Sequence, residues 1–517
     1  MRIATNVSAI VSNNALQKSQ DRLTKSIARL SSGYKINSSS DDAAGYAISE
    51  KMRLQLRGLN QADNNAADGV SVLHTAEGAM EEIQSMLARM KELSVQAANG
   101  TNSVDERSAI QSEIDSLNSE IDRISSNTEF NSQTLISGNL SRRVYSNYEG
   151  VNQIEVSDNF VAGNYGITIT QDARQAIVVG NGAVTMSDTA TVTKEQAGTI
   201  SMNGYGIEIS EGDTLAGIMG KLVDGADKIG GRVFAITAGA TNDTKVNGTD
   251  YAGYEPQTSY AGNNIVFMTK ESGSSKTMNI TCSNAELANM LGIATAATNS
   301  GMYAEGSDVQ AEFTLDNDGK RVGFADSAVI STSGTRVTVK DVNNRTFVTD
   351  VPSNVAGTQF SDTAKADDKS TATSTQTAKV TQEVTDVGTM SVHVGANENQ
   401  VILIDIPAVT SYTLGTENLN VMTSVTASEA IDTIETAVAY ANRVRSQMGA
   451  YENRFEHTTN NLGTASENLT SAISTMTDTD MAEEMTEYTS LNVMTQAATS
   501  ILAQANERPS TVLQILQ

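Results

Sequence analysis

The chain has 517 residues, a formal net charge of −26, no Trp, 4% aromatic residues and one cysteine, Cys282. This length allows several domains, and the single cysteine excludes an intramolecular disulfide. The acidic balance, without clustered Lys and Arg, excludes nucleic acid and anionic membranes as partners.

The N-terminal segment predicts a first helix. Residues 1–10 (MRIATNVSAI) spread their apolar side chains as in an amphipathic helix, without the apolar block and cleavage site of a signal peptide. Leu16, Leu23, Ile27 and Leu30 continue an apolar stripe through polar sequence. We therefore expect a protein that is either cytosolic or exported without N-terminal cleavage. No run of about 18 apolar residues occurs, so we expect no transmembrane helix.

A long second helix is predicted by apolar residues spaced alternately three and four apart. The positions are Leu59, Ala62, Ala66, Gly69, Leu73, Ala76, Met80, Ile83, Leu87, Met90, Ser94 and Ala97. A shorter run follows at Ile110, Ile114, Leu117, Ile121 and Ile124. A repeat of 3.5 residues keeps its apolar side on a partner helix, so both runs predict segments of one helical bundle or coiled coil. Taken alone, they also fit an ordinary intramolecular core.

The middle of the chain, from about residue 141, predicts β-structure. Period-two alternation marks strands at 165–170, 199–202, 207–209 and 232–237. Strands at 337–339 and 346–348, joined through Asn343 and Asn344, predict a hairpin. The tract 353–388 is rich in Ser, Thr, Ala, Asp and Lys and predicts an exposed linker or loop.

The C-terminal part returns to the helical pattern. One stripe consists of Ala427, Ile431, Ile434, Val438, Ala441, Met448, Phe455, Leu462, Leu469, Ile473 and Met476. A second stripe, at the end of the chain, consists of Leu491, Met494, Ala498, Ile501, Leu502 and Ala505.

The two outermost stripes are too thin to order their segments alone. Burying one Leu or Ile gains roughly 1.5 to 3 kcal/mol, whereas ordering each residue costs about 1 to 2 kcal/mol of backbone entropy. We therefore predict that residues 1–42 and 477–517 are largely disordered in a free monomer and become helical when copies pack together. The residues predicted to make polymer contacts are Leu16, Leu23, Ile27, Leu30, Leu491, Met494, Ala498, Ile501, Leu502 and Ala505.

The sequence predicts no catalytic, cofactor or metal site. His74, His393 and His457 are far apart and do not form the pair, one helical turn apart, that a zinc protease requires. No Gly-x-Ser-x-Gly turn stands out, and residues 180–182 (GNG) lack the third glycine of a phosphate loop. We therefore expect no enzymatic activity.

Short motifs at both ends of the chain form a recognisable set. The N-terminal motifs are 30–37 (LSSGYKIN), 41–45 (DDAAG), 66–71 (AADGVS) and 127–131 (NTEFN). The C-terminal motifs are 449–455 (GAYENRF), 467–469 (ENL), 480–485 (DMAEEM) and 502–506 (LAQAN). Over about 1–140 and 389–517 the chain resembles bacterial flagellin, the subunit of the flagellar filament. It departs from the family at 474–478 (STMTD), where relatives usually have an arginine-containing segment.

This resemblance implies an α+β, multi-domain fold, in which both chain ends form a long α-helical coiled coil or bundle and the centre is a β-rich inserted domain. Residues 1–42 and 477–517 would form an inner domain of terminal helices. Residues 43–140 and 389–476 would form a helical rod, with a β-hairpin and turn at 389–421. Residues 141–388 would be an outward-facing variable insert. Inside it, 200–207, a helix at 215–223 and 264–268 resemble the small α/β motif of flagellar hook and filament proteins.

The implied function is that of a structural subunit, which self-assembles into the extracellular flagellar filament for motility and is exported without a cleaved signal peptide. The implied partners are further copies of the chain, a flagellin export chaperone, the filament cap and hook-associated proteins. Two alternatives remain open. One is a hook–filament junction protein with similar termini, and the other is an acidic surface adhesin whose helical ends form a fixed stalk.

Residues 87–93 (LARMKEL) and Glu113 resemble the surface that a flagellin-sensing Toll-like receptor of the host binds. The resemblance implies that Arg89, Leu93 and Glu113 meet on one exposed face and bind this receptor, with Arg as a planar donor and Leu as an apolar anchor. Leu117 stands where many receptor-activating relatives have Arg, which implies weaker binding. The alternative is that these residues serve only filament packing or a solvated helix face.

Overall fold

A computed structural model of the chain describes residues 6–157, 160–237, 261–293, 302–316, 318–341, 345–352, 377–385 and 387–516. The chain divides into two compact units. The terminal unit comprises Met1–Val70, Val392–Ile402 and Asn453–Gln517, and the central unit comprises Ser71–Ser391 and Leu403–Glu452. The four boundaries between the five segments expected from the sequence stay predictions. Within the described ranges, none of the helices combines the length and hydropathy that a membrane span requires.

The helices are concentrated at the two ends of the chain. They are α1 Val7–Ser32, α2 Ala43–Ala98, α3 Val104–Asn127, α4 Leu215–Lys228, α5 Ala285–Met290, α6 Ser411–Leu414, α7 Ser424–Thr477 and α8 Met481–Leu516. Neither α2 nor α7 contains Pro, the residue that would remove a backbone donor and break the helix. The predicted heptad positions of α2 are buried, except Leu59, which is half-buried. This result confirms the predicted helical ends.

Side chains at the helix ends explain where α1 and α3 begin and where α1 ends. The side chain of Asn6 accepts a hydrogen bond from the backbone N–H of Ala9 and so caps α1. Gly33, with φ of +78°, terminates α1 in the left-handed conformation that glycine adopts without strain. Ser103 and Glu106 form a reciprocal capping box that starts α3.

The central region is built of short strands. They are β1 Glu129–Phe130, β2 Gln133–Thr134, β3 Val144–Ser146, β4 Asn152–Val156, β5 Gly163–Gln171, β6 Gln175–Val179, β7 Gly198–Met202, β8 Tyr205–Ile209, β9 Gly231–Thr237, β10 Asn263–Ser272, β11 Thr277–Cys282, β12 Met302–Glu305, β13 Gln310–Phe313, β14 Val329–Ser333, β15 Arg336–Lys340, β16 Thr346–Asp350, β17 Ala378–Val384, β18 Met390–His393 and β19 Val401–Ile404. In the described residues their sheet orders are β1-β2, β6-β10-β9, β12-β11-β7-β8, β13-β5-β17-β3, β14-β15-β16-β4 and β18-β19.

Two apolar cores among the described residues pack against most of these sheets. In the first, Leu215, Ile218 and Leu222 of α4 are buried together with side chains of the sheets that contain β7 and β10. The second core lies between the sheets that contain β5 and β15, and its rings are those of Phe160, Tyr165, Phe324 and Phe347. Neighbouring rings such as Phe160 and Tyr165 meet edge to face, with centroids 5.2 Å apart.

The polypeptide enters and leaves the β-rich region at one place. The backbone N–H of Arg143 donates to the carbonyl of Val387 (2.9 Å), and the N–H of Thr385 donates to the carbonyl of Arg143 (3.1 Å). Strand β3 also pairs with β17. The hairpin expected at the start of 389–421 is present as β18 and β19.

Most of the predicted central elements are confirmed, and one is wrong in part. The strands predicted at 165–170, 199–202, 207–209 and 232–237 lie in β5, β7, β8 and β9, and the predicted helix at 215–223 lies in α4. Strands β15 and β16 form the predicted hairpin, although Asn343 and Asn344 lie outside the described residues. The tract 353–388 was expected to be a linker or loop, but β17 occupies its end. Its residues 353–376 and 386 are not among those described.

Candidate functional site

In the terminal unit, helices α1 and α8 lie antiparallel along each other. The side-chain amide of Asn6 donates to the carbonyl of Ala505 at 2.9 Å, near one end of the pair. Farther along, Arg22 Nη2 lies 3.1 Å from Glu487 Oε1. The pairing places the two outermost apolar stripes of the sequence on one two-helix element.

The far end of this pair is held by backbone hydrogen bonds. The N–H of Lys35 donates to the carbonyl of Thr477 (2.7 Å), and the N–H of Thr479 donates to the carbonyl of Gly33 (2.9 Å). Ser474 Oγ donates to a carboxylate oxygen of Asp478 at 2.5 Å. The segment that departs from the family's usual sequence therefore still ties the two chain ends together.

The predicted polymer-contact residues divide between the α1–α8 contact and the outer surface of the pair. Leu491 and Ala505 are buried. Those that are half-buried are Leu16, Leu23, Leu30, Ala498 and Leu502. Ile27, Met494 and Ile501 remain exposed, with 48%, 45% and 55% of their surface accessible. Within one copy of the chain, the predicted contact residues are therefore only partly buried.

Further apolar residues on these two helices were not predicted as contacts. They are Val7, Ile10, Val11, Met481, Met485 and Val493, all of them exposed. They were missed because they do not fit the spacing of the apolar stripes in the sequence. They could have been found because large apolar residues are few in these helices. Together with Ile27, Met494 and Ile501 they are large apolar side chains exposed on α1 and α8, and we call this set the outer apolar row.

The predicted receptor residues lie in the central unit. Arg89 of α2 donates through Nε to Glu113 Oε1 of α3 at 2.9 Å, and its Nη1 donates to Glu92 Oε2 at 3.2 Å. The hydrogen bond that Arg89 donates to Glu113, and then the one to Glu92, raises the pKa of the Arg89 guanidinium. Arg89 and Glu113 are exposed and adjacent, as expected. Leu93 was expected to be exposed as well, but only 2% of its surface is accessible.

One group of side chains in the central unit has the chemistry of a metal site, although the sequence predicted none. His74 and Glu77 of α2 and Glu452 of α7 each offer a ligand atom, and these atoms all lie within 4.8 Å of one another. His74 Nε2 is 3.6 Å from Glu452 Oε1. Sequence reasoning missed this group because Glu452 is distant from the other two along the chain. The remaining histidines lie elsewhere: His393 Nδ1 is 3.1 Å from the carbonyl of Gly395, and His457 is exposed on α7.

Two family models match the helical ends. Residues 3–141 match the bacterial flagellin N-terminal helical region, and residues 431–516 match the bacterial flagellin C-terminal helical region. Both matches cover the segments on which the sequence resemblance rests.

Similar proteins extend over nearly the whole chain. A flagellin of Clostridium tyrobutyricum is 31% identical and covers 96% of this chain and 98% of its own length. A flagellin of Salmonella typhimurium is 30% identical, over 100% of this chain and 99% of the relative. Among solved structures, FliC from Burkholderia pseudomallei aligns with 75% of this chain and 99% of its own, at 14% identity and a TM-score of 0.22. Structural similarity at that level adds nothing to the comparison.

Proposed function

Because this chain belongs to the bacterial flagellin family and is therefore a structural subunit of the flagellar filament, we propose that its α1–α8 pair carries the contacts between subunits. The observation that supports this proposal is the outer apolar row, which leaves large apolar side chains exposed to water on two helices that already pack together. Large apolar side chains exposed in this number on one two-helix element favour an interaction site. A neighbouring subunit of the same sequence would cover it.

Many weak contacts of the same kind are enough to hold such a polymer together. Covering one exposed Ile or Val gains at most roughly 1.5 to 3 kcal/mol, and ordering the side chains reduces this gain. Each subunit in a helical array touches several neighbours, so it dissociates only when all its contacts break together. A head-to-tail interface that does not close into a ring gives an open filament.

Substituting Ile501 tests this role. Ile501→Asp places a charge in the outer apolar row, and we expect it to prevent filament formation because the carboxylate would lose its hydration in the interface. Ile501→Leu keeps the apolar surface and should polymerise. Sedimentation and electron microscopy after seeding measure the polymer, and circular dichroism shows whether the monomer is folded. Filaments of normal yield from Ile501→Asp would refute the proposal.

We extend the proposal to the partners that the chain would meet during export and assembly. Before export, the apolar side of α8 requires cover, so we assign it to a flagellin export chaperone in the cytoplasm. Outside the cell, the chain would meet the filament cap and the hook-associated proteins and would serve motility.

The similar proteins disfavour both alternative functions. The junction protein shares helical ends, but the relatives that span this chain nearly end to end are flagellins. A junction needs few copies and a filament needs many, so the abundance of the chain in sheared flagella distinguishes the two. The adhesin alternative predicts a stable monomer or small oligomer that never sediments as a polymer.

A second role, as a ligand of the flagellin-sensing Toll-like receptor, is supported by the exposed pair Arg89 and Glu113. Arg89 presents a planar charged fork on the surface, and Glu113 holds it in place. Leu93 lies beneath, so in this proposal it shapes the patch from below and is not a direct anchor. An assembled filament would cover the patch.

Binding of the receptor ectodomain to the monomer tests this second role. We expect Arg89→Ala to weaken binding at least tenfold, as for an interface residue whose truncation costs more than about 1.4 kcal/mol. Arg123→Ala is the matched control, because Arg123 is an exposed arginine of α3 that pairs with Glu120. Equal binding by both variants, or none by the unmodified monomer, would exclude the role.

A further inference from the structure

The parts of helices α2 and α7 that lie in the central unit bring His74, Glu77 and Glu452 together at the surface. His74 and Glu77 are three residues apart on α2 and so project from the same helix face. Glu452 reaches this face from α7, and its Oε1 is 3.6 Å from His74 Nε2. We propose that these three side chains bind one divalent transition-metal ion, with Zn²⁺ as the representative, and that the ion links α2 to α7.

The donor set determines the class of metal. One imidazole nitrogen and two carboxylates suit Zn²⁺ and related ions, whereas Mg²⁺ and Ca²⁺ prefer oxygen ligands alone. Two carboxylates with a neutral imidazole also balance the charge of a divalent cation. Water would fill the fourth position, because the side chain of His74 is 58% accessible and the site is open to solvent.

The geometry requires only a small adjustment. Zinc–ligand bonds are about 2.0 to 2.2 Å, so two atoms on one ion can be no more than roughly 4.4 Å apart. The three candidate atoms lie within 4.8 Å of one another before any ion pulls them together. Rotation of the exposed His74 side chain and of the two half-buried glutamates on fixed helices provides the difference. Because these rotamers must be ordered, we expect micromolar affinity, weaker than that of a preorganised structural zinc site.

Arg445 of α7 carries a positive charge that neutralises part of the negative charge of this group. Its Nη2 is 3.1 Å from Glu77 Oε1, and its Nη1 donates to Gln84 Oε1. A carboxylate has two oxygens, so Glu77 can keep this ion pair and offer its other oxygen to the metal. The positive charge of Arg445 opposes an incoming cation, so Arg445→Gln should increase metal affinity.

Calorimetric titration of ZnCl₂ into the full-length monomer, without an affinity tag, tests the proposal. We expect one saturable site, at least tenfold weaker binding in His74→Gln and in Glu452→Gln, and no competition from millimolar MgCl₂. His457→Gln is the matched control, because it removes another exposed histidine from α7, and it should bind as the unmodified chain does. Zn²⁺ should also raise the melting temperature of the unmodified chain and not that of His74→Gln.

Several results would overturn the assignment. They are the lack of a saturable site in the unmodified chain, unchanged binding in His74→Gln, and binding lost in His457→Gln. Unchanged binding in Glu452→Gln would show that no ion links the two helices. Equal or weaker binding in Arg445→Gln would exclude Glu77 as a ligand. Far-ultraviolet circular dichroism of each variant distinguishes loss of the site from loss of the fold.

Discussion

Glu429, near the start of α7, illustrates how a single half-buried carboxylate affects stability. Its Oε2 is 3.8 Å from Lys276 Nζ, but the same ammonium lies only 2.8 Å from Glu271. Burial is the main influence and raises the pKa of Glu429; Lys276 opposes this shift and Glu271 adds to it. The charged form of Glu429 is therefore disfavoured in the folded protein.

We predict that Glu429→Gln stabilises the central unit at pH 7 by about 0.5 kcal/mol or somewhat more, within the range of substitutions near a protein surface. Because the folded pKa is raised, the contribution of Glu429 to stability is fully present below its ordinary pKa and is lost as pH rises through the folded value. The advantage of Gln should therefore shrink as pH falls. Melting temperatures at several pH values measure the effect.

Glu435→Gln is the control for this prediction, because it removes a carboxylate from the same helix. Glu435 is exposed and pairs with Lys91 at 2.7 Å, so its loss should cost between nothing and about 1 kcal/mol. The account of Glu429 is wrong if Glu429→Gln lowers the melting temperature at pH 7 as much as Glu435→Gln does.

At the residue scale, the sequence predicted burial better than it predicted exposure. The heptad positions of α2 are buried because a 3.5-residue repeat keeps one side of a helix on its neighbours. Leu93 and Val72 fall outside that repeat and are buried too. A helix in a bundle buries a stripe wider than two positions in seven, so an apolar residue beside the heptad seam need not face water.

At the scale of elements, alternation identified strands such as β5 and β7, whose inward positions are Tyr, Ile or Met. Strand β17 was missed because its buried positions, Ala378, Val380, Gln382 and Val384, include a polar residue and a small one, and Lys, Thr and Glu alternate with them. Gln382 is tolerated inside because its amide donates to Thr349 Oγ1 at 3.0 Å. The average composition of the tract that contains β17 therefore did not distinguish this strand from a loop.

The adjacent entry and exit of the β-rich region lead to a prediction at the same scale. Deleting residues 145–385 should leave a chain that still folds its helices and polymerises, because Arg143 and Val387 are already hydrogen-bonded neighbours. The deletion also removes ion pairs such as Glu155 with Arg443. Glu155, the more buried partner, leaves with the insert, and Arg443, which stays, is exposed.

Sedimentation and electron microscopy of the deletion variant measure its assembly. Combining the deletion with Ile501→Asp gives the control, which should remain monomeric. A well-folded deletion variant that fails to assemble would show that the β-rich region makes contacts between subunits.

For the whole molecule, local motifs at the two ends were enough to identify the family, because flagellin-like sequence is concentrated there. These motifs did not predict which distant residues contact one another in the folded chain. The antiparallel match of α1 with α8, the pairing of β3 with β17 and the approach of Glu452 to His74 all join segments hundreds of positions apart. Such contacts depend on the folded backbone and leave little trace in a single sequence.

Electron cryomicroscopy of filaments assembled from the purified chain tests the central claim most directly. The account predicts that α1 and α8 of neighbouring subunits contact one another through the outer apolar row, with Val7, Val493 and Ile501 buried between copies and the β-rich region facing solvent. Filaments held together by the β-rich region, with Ile501 still exposed to solvent, would contradict it.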